Sequence, residues 1–221
     1  MNFWKQKNVT DDLLERMLSD EDAEPQTGGV IESEKKVSWR AHREAEKISE
    51  QSWIPELIRK IQSEPNKKVR AAAYFVLGNV MKNTSDTTAV QFLIDQAYKE
   101  TDRYVSSSIY NLLADIPKPT GTDISTLKLA VIDEDWLIRH SAISALGGCQ
   151  DAEAEETLIS ISDSTDDPFD IVYANATLNR YGTALALPTL EKHLKARKRD
   201  VRDSAKFAIE EIRRRETSRN Q

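Results

Sequence analysis

The stretch VRAAAYFVLG, residues 69–78, decides how this chain is read. Take Leu77 as an anchor. Val69, Ala73 and Val76 precede it by eight, four and one residues. In a helix of 3.6 residues per turn these positions share one face. The same grammar recurs around Leu113, Leu146, Leu178 and Ile209, at spacings of 36, 33, 32 and 31 residues. Eight residues before the anchors stand Val69, Val105, Ile138, Asp170 and Val201; four before stand Ala73, Ile109, Ala142, Ala174 and Ala205. Small residues at the second position let a neighbouring helix approach closely. Asp170 breaks the apolar rule, and its neighbour Ile171 is read as taking its place.

The ends of these helices are marked too. Eleven residues before the anchors come Asn66, Asp102, Asp135, Asp167 and then Lys198. Asn and Asp are strong N-caps, because their side-chain oxygens accept the unpaired amides of the first turn. Pro168 follows Asp167 and suits the first helical position. A second leucine series, Leu57, Leu93, Leu127, Leu158 and Leu190, runs 19 or 20 residues ahead of the first. Each unit therefore reads as helix A, short loop, helix B. The expected repeats span about 53–83, 86–117, 123–149, 153–182 and 184–215. One such pair cannot bury its apolar face alone, whereas stacked pairs share a continuous core.

VRAAAYFVLG (69–78), IRHSAISALG (138–147) and TLNRYGTALALPTL (177–190) resemble HEAT-like repeats, in the version found in phycobilisome lyase-type repeat proteins. The resemblance implies an all-α, right-handed α-solenoid of about five HEAT-like helical pairs, with the B helices lining the concave side. It says little about function, since such repeats serve scaffolds, adaptors, lyases and nucleic-acid enzymes alike.

Outside the repeats, residues 33–51 read as a capping helix with Val37, Ala41, Ala45 and Ile48 on one face, so the repeat domain is expected to span 33–221. Residues 20–32, containing DEDAEPQTGG, lack apolar periodicity and read as a flexible linker. Residues 1–19 read as a short amphipathic N-terminal helix capped by Thr10, bearing Leu13, Leu14, Met17 and Leu18 and preceded by Phe3 and Trp4. Such an element needs a surface: the chain's own first repeat, its groove, or a partner. The polar RRRETSRNQ (213–221) suits the other end of the stack.

Composition bounds the function. The chain has 221 residues, 31% charged, with only 7 Gly and 7 Pro, which favours long solvated helices over a turn-rich β fold. No run of apolar residues is long enough to span a bilayer, and the first ten residues lack the apolar core of a signal peptide. The lone Cys149 excludes an internal disulfide and points to a reducing, cytoplasmic setting. The net charge of −6 hides a gradient: residues 122–187 carry −9 and residues 188–221 carry +5.

On the B helices, the offsets that the pattern leaves outward place Tyr74, Phe75, Tyr110, Asn111, His140 and Ile143 on a nearly uncharged face. Aromatic groups with polar tips suit protein recognition. That face is the expected protein-binding site. Arg70, Arg139 and Arg202, seven residues before their anchors, are read as a structural ladder with nearby acids. Lys195, Arg197, Lys198, Arg199 and Arg202 form a basic cluster able to hold phosphates.

Chemistry is poorly supported. No phosphate-binding loop, dinucleotide fingerprint, zinc motif or nucleophile elbow is present. His42, His140 and His193 lie in different units. Some HEAT-like hydroxylases hold iron through His-Glu pairs, but here Ser141 follows His140. The sequence thus reads as a non-catalytic, cofactor-free adaptor or scaffold. Its expected partner is a protein or peptide rather than a membrane or nucleic acid, and its expected state a monomer or weak homodimer. The alternatives are a nucleic-acid-binding protein using the basic C-terminal end, and a bilin-lyase-like enzyme.

Overall fold

The computed structural model describes residues 8–25 and 32–219. Phe3 and Trp4, residues 26–31 of the expected linker and the last two residues lie outside them. Among the described residues every regular element is helical, and no helix is long and apolar enough to cross a membrane. The chain divides into two compact units, Met1–Ala89 and Val90–Gln221.

The first unit holds α1 (Val9–Met17), α2 (Val37–Ala45), α3 (Ile54–Ser63) and α4 (Lys67–Thr84). Helices α3 and α4 are the expected first repeat. The N-terminal helix α1 packs on α2 and α4, burying Leu13, Leu14 and Met17. Its destination is therefore the chain's own first unit, and the cap is a helical pair rather than a single helix. Polar contacts fix its angle. Arg16 makes a two-pronged pair with Glu44 at 2.7 and 2.9 Å, and Lys60 reaches Asp11 at 2.9 Å. Asn8, not Thr10, stands at the N-cap position of α1, but its side-chain amide donates to Glu56 rather than capping the first turn; the Thr10 hydroxyl is buried and also donates to Glu56. Residues 20–25 also have structure: Asp22 and Lys36 form an antiparallel bridge, with Ala23 N donating to Lys35 O at 2.7 Å.

The second unit holds four pairs: α5 (Val90–Lys99) with α6 (Arg103–Leu113), α7 (Ser125–Ala130) with α8 (Trp136–Ala145), α9 (Ala152–Ser164) with α10 (Pro168–Tyr181), and α11 (Leu187–His193) with α12 (Arg199–Arg219). The B helices α6, α8, α10 and α12 stack in sequence, and the A helices pack along their backs. This is the two-layer logic of a helical repeat. Of the ten anchor leucines and isoleucines in the two units, none is more than 5% exposed.

Caps form where the spacing predicts them. Asn66, Asp102, Asp135 and Asp167 accept first-turn amides at 2.9–3.0 Å. The −7 arginines reach back over the A–B loops: Arg70 donates to Glu64 O and Pro65 O, Arg139 to Asp133 O, and Arg202 to Ala196 O and Arg197 O.

The connection between α6 and α7 holds a device with no sequence signal. Lys118 is wholly buried, and its Nζ donates to the carbonyls of Leu113 (2.6 Å), Ile116 (2.9 Å) and Gly147 (2.6 Å). It ties the end of α6 to the end of α8. Gly148 completes the joint at φ 76°, in the left-handed region, where a Cβ would stand 3.2 Å from Ile116 O.

Candidate functional site

The face expected to be open is largely closed. Tyr74 is 0% exposed, Tyr110 1% and Ile143 0%, and His140 is also buried. Tyr74 lies on α4, which is covered by α1, α2 and α3; Tyr110 and Ile143 lie on helices flanked by neighbours in the stack. A B helix in such a stack is enclosed on three sides, so it leaves a narrower outward strip than a helix lying on a single core. Burial pushes the Tyr110 phenol well above its ordinary range, aided by the charge of Asp133. Phe75 is half-buried against His42, with ring centroids 5.3 Å apart. Asn111 is exposed.

On α6 and α10 an outward strip runs nine, five and two residues before the anchor. It consists of Tyr104, Ser108 and Asn111 on α6, and of Phe169, Tyr173 and Ala176 on α10. The expected Tyr110 and Ile143, three residues before their anchors, lie one residue, or about 100°, away from it, whereas the expected Asn111 falls on it. Trp136 joins this edge from the first turn of α8. These rings stand in the open: Tyr104 is 70% exposed, Phe169 61%, Trp136 55% and Tyr173 39%. A row of exposed aromatics on one edge is unusual for a surface without a partner.

The rings are held in a connected series. The Arg103 guanidinium lies 5.4 Å from the Tyr104 centroid and 5.9 Å from that of Trp136. Its charge is met by Asp135 at 3.0 Å. Trp136 stands 5.7 Å from the His140 ring, Phe169 6.3 Å, and Tyr173 stacks on it at 4.5 Å. His140 is thus the buried floor beneath three exposed rings.

Below the floor lies Asp170, the residue that broke the repeat pattern. It is itself buried, while Ile171 stays half-exposed, so the expected substitution of one for the other does not occur. Its carboxylate accepts from Arg139 Nε (2.8 Å) and Thr165 Oγ1 (3.0 Å). His140 Nε2 lies 2.9 Å from Asp170 Oδ1 but out of line for a hydrogen bond, so stacking holds the imidazole. His140, Asp167 and Asp170 could together offer three atoms to a metal ion. Arg139, however, already pairs with both carboxylates and supplies the positive charge there. The cluster is an ion-paired foundation for the aromatic edge.

The remaining polar residues disperse. Lys195, Arg197, Lys198 and Arg199 are exposed at the loop before α12, while Arg202 turns inward to cap carbonyls. Cys149 is half-buried in a cleft of about 350 Å³ lined also by Glu155, Leu158 and Tyr181. Burial raises its thiol pKa, which works against a reactive thiolate.

Residues 124–210 match HEAT repeats. That stretch contains α7 to α11 and most of α12, so it covers the aromatic edge from Trp136 to Tyr173. No curated protein sequence gives a significant match. Among solved structures, the chain is similar to a designed armadillo repeat protein in complex with the peptide (KR)4. The TM-score is 0.52 and the identity 14%, covering 93% of this chain and 100% of that one. It is also similar to an engineered protein, with TM-score 0.50 and 19% identity, covering 94% of this chain and 97% of the other. At such identities the likeness concerns the fold: an all-α, HEAT- and armadillo-like repeat.

Proposed function

We propose that this chain is a non-catalytic, protein-binding repeat module that captures a peptide or an extended protein segment along the edge formed by Tyr104, Trp136, Phe169 and Tyr173. One observation carries this reading: four large rings stand exposed near the starts of three successive B helices, joined by Arg103 and the His140 floor and backed by ion pairs to Asp135 and Asp170. Rigid aromatic anchors contribute contact area at small entropic cost, because little is left to freeze on binding. Asn111, on the same outward strip, adds a polar contact; Tyr110 and Ile143 support the helices from beneath. The similarity to an armadillo repeat protein solved with a peptide supports peptide capture by this kind of architecture.

The finer likeness, to phycobilisome lyase-type repeats, would bring bilin chemistry. Cys149 gives that reading little help, since its thiol is disfavoured as a thiolate and Glu155 beside it is engaged by Thr183 N at 2.7 Å.

Selection of peptides from a displayed random library on the full chain tests the proposal. Enriched peptides should lose at least tenfold in affinity against a Trp136→Ala/Phe169→Ala variant with unchanged helicity. Equal binding to both proteins would remove the edge as the site.

A further inference from the structure

We infer that the edge is specific for arginine side chains, so that its ligand is a basic, guanidinium-rich segment; this deepens the peptide-binding reading and rests on it. The structure contains an internal precedent. Arg103 lies between Tyr104 and Trp136, with its guanidinium over both rings and its charge met by Asp135 at 3.0 Å. Two aromatic faces and one carboxylate are thus what this edge already offers a guanidinium.

One repeat further on, the residue after the cap is Trp136 following Asp135, and two repeats on it is Pro168 following Asp167, so Arg103 is the one cation at this position among the three helices. Asp167 is met by Arg139 from the side of the buried floor. Among the described residues no guanidinium is placed over Phe169 or Tyr173. Trp136, Phe169 and Tyr173 flank the His140 floor and leave ring surface to solvent.

The charge around these rings favours the same ligand. Asp133, Glu134 and Asp166 are exposed in the loops that open α8 and α10. No cation pairs with these three carboxylates among the described residues. They belong to the segment that carries −9. Such an edge repels a phosphate backbone and attracts a polycation. Arginine fits better than lysine because its planar, weakly hydrated guanidinium stacks on rings, while an ammonium keeps its water.

The test uses labelled octapeptides of alternating Gly-Arg, Gly-Lys, Gly-Gln and Gly-Glu, titrated with the full chain and followed by fluorescence anisotropy at low and at physiological salt. Gly-Arg should bind at least tenfold tighter than Gly-Lys, and Gly-Glu should not bind. Trp136→Ala and Phe169→Ala change exposed side chains and should each weaken Gly-Arg at least tenfold with the circular dichroism unchanged. The triple variant Asp133→Asn/Glu134→Gln/Asp166→Asn should weaken it and flatten its salt dependence. Equal binding of Gly-Arg and Gly-Lys, insensitive to Trp136→Ala, would reduce the edge to a charged surface and overturn the inference. Gly-Arg binding no tighter than Gly-Gln would overturn it as well. Library-selected peptides that still depended on Trp136 in that case would leave the peptide-binding reading standing.

Discussion

The imidazole of His140 lies face to face with the phenol ring of Tyr173, their centroids 4.5 Å apart and their planes 17° from parallel. One ring is buried and the other faces solvent, so the pair joins the core of α8 to the exposed edge on α10. A double-mutant cycle with His140→Ala and Tyr173→Ala should return a coupling of about 0.5–1.5 kcal/mol in urea unfolding. Additive effects of the two changes would show that the stack holds nothing in place.

Asp170 sits beneath that pair and depends on Arg139. Truncating one partner of a buried ion pair leaves an uncompensated charge, whereas replacing both with apolar residues can be nearly neutral. Asp170→Ala should therefore lower stability by about 3–5 kcal/mol, and Arg139→Met/Asp170→Leu should recover much of the loss. Denaturant midpoints of the two variants measure this. A single variant as stable as the parent would show the carboxylate to be dispensable.

Among the described residues Lys118 makes no salt bridge to a carboxylate, and it relies on three carbonyls. Burial lowers its pKa from 10.5 to about 8. Between those two values the unfolded chain holds the proton more often than the folded one, so stability gained from this residue rises with pH across that interval. Lys118→Met removes the three hydrogen bonds and should destabilise the chain by roughly 2–4 kcal/mol. The gap between parent and variant should widen from pH 8 to pH 10.5, the folded and unfolded values of Lys118. Chemical denaturation of both proteins at several pH values checks it; a constant gap would contradict the linkage.

At the N-terminal helix, two kinds of contact can be ranked. Leu13 is fully buried between α1 and its neighbours, whereas the Arg16–Glu44 pair stands partly in water. Leu13→Ala should cost about 2–5 kcal/mol, and Arg16→Ala about 1 kcal/mol or less. Trp39 and Trp53 lie in the same unit and provide a fluorescence signal for its unfolding. A larger loss from Arg16→Ala than from Leu13→Ala would mean that charge, not apolar burial, docks α1.

The repeat was legible because its determinants are local. Anchor spacing, small residues at −4 and the Asn and Asp caps each act within one helix, and a single sequence displays them. The site was not, because exposure in a stack depends on three neighbours at once. Placing Tyr110 outward and Tyr104 unremarked was an error of rotation: the strip was set about 100° from where α6 presents it. A better signal was available in the aromatic residues that follow the caps, Tyr104, Trp136 and Phe169, since a large ring at the start of a helix has little core to reach. Asp170 offered another, as an acid in an apolar slot marks a position where a buried partner must exist. Lys118 offered none, because its partners are backbone carbonyls and leave no trace in residue identity.

Asp135 and Asp167 each close the first turn of their own helix and also hold an arginine of the preceding repeat, Arg103 and Arg139 respectively. One carboxylate thus serves a local and a neighbouring contact together. A repeat that loses its first turn also releases the one before it, so fraying should spread along these pairs rather than stop at a boundary. The same double duty restricts how the units can be rearranged over evolution: a repeat moved or duplicated without its matched arginine would arrive with half of its clasp missing.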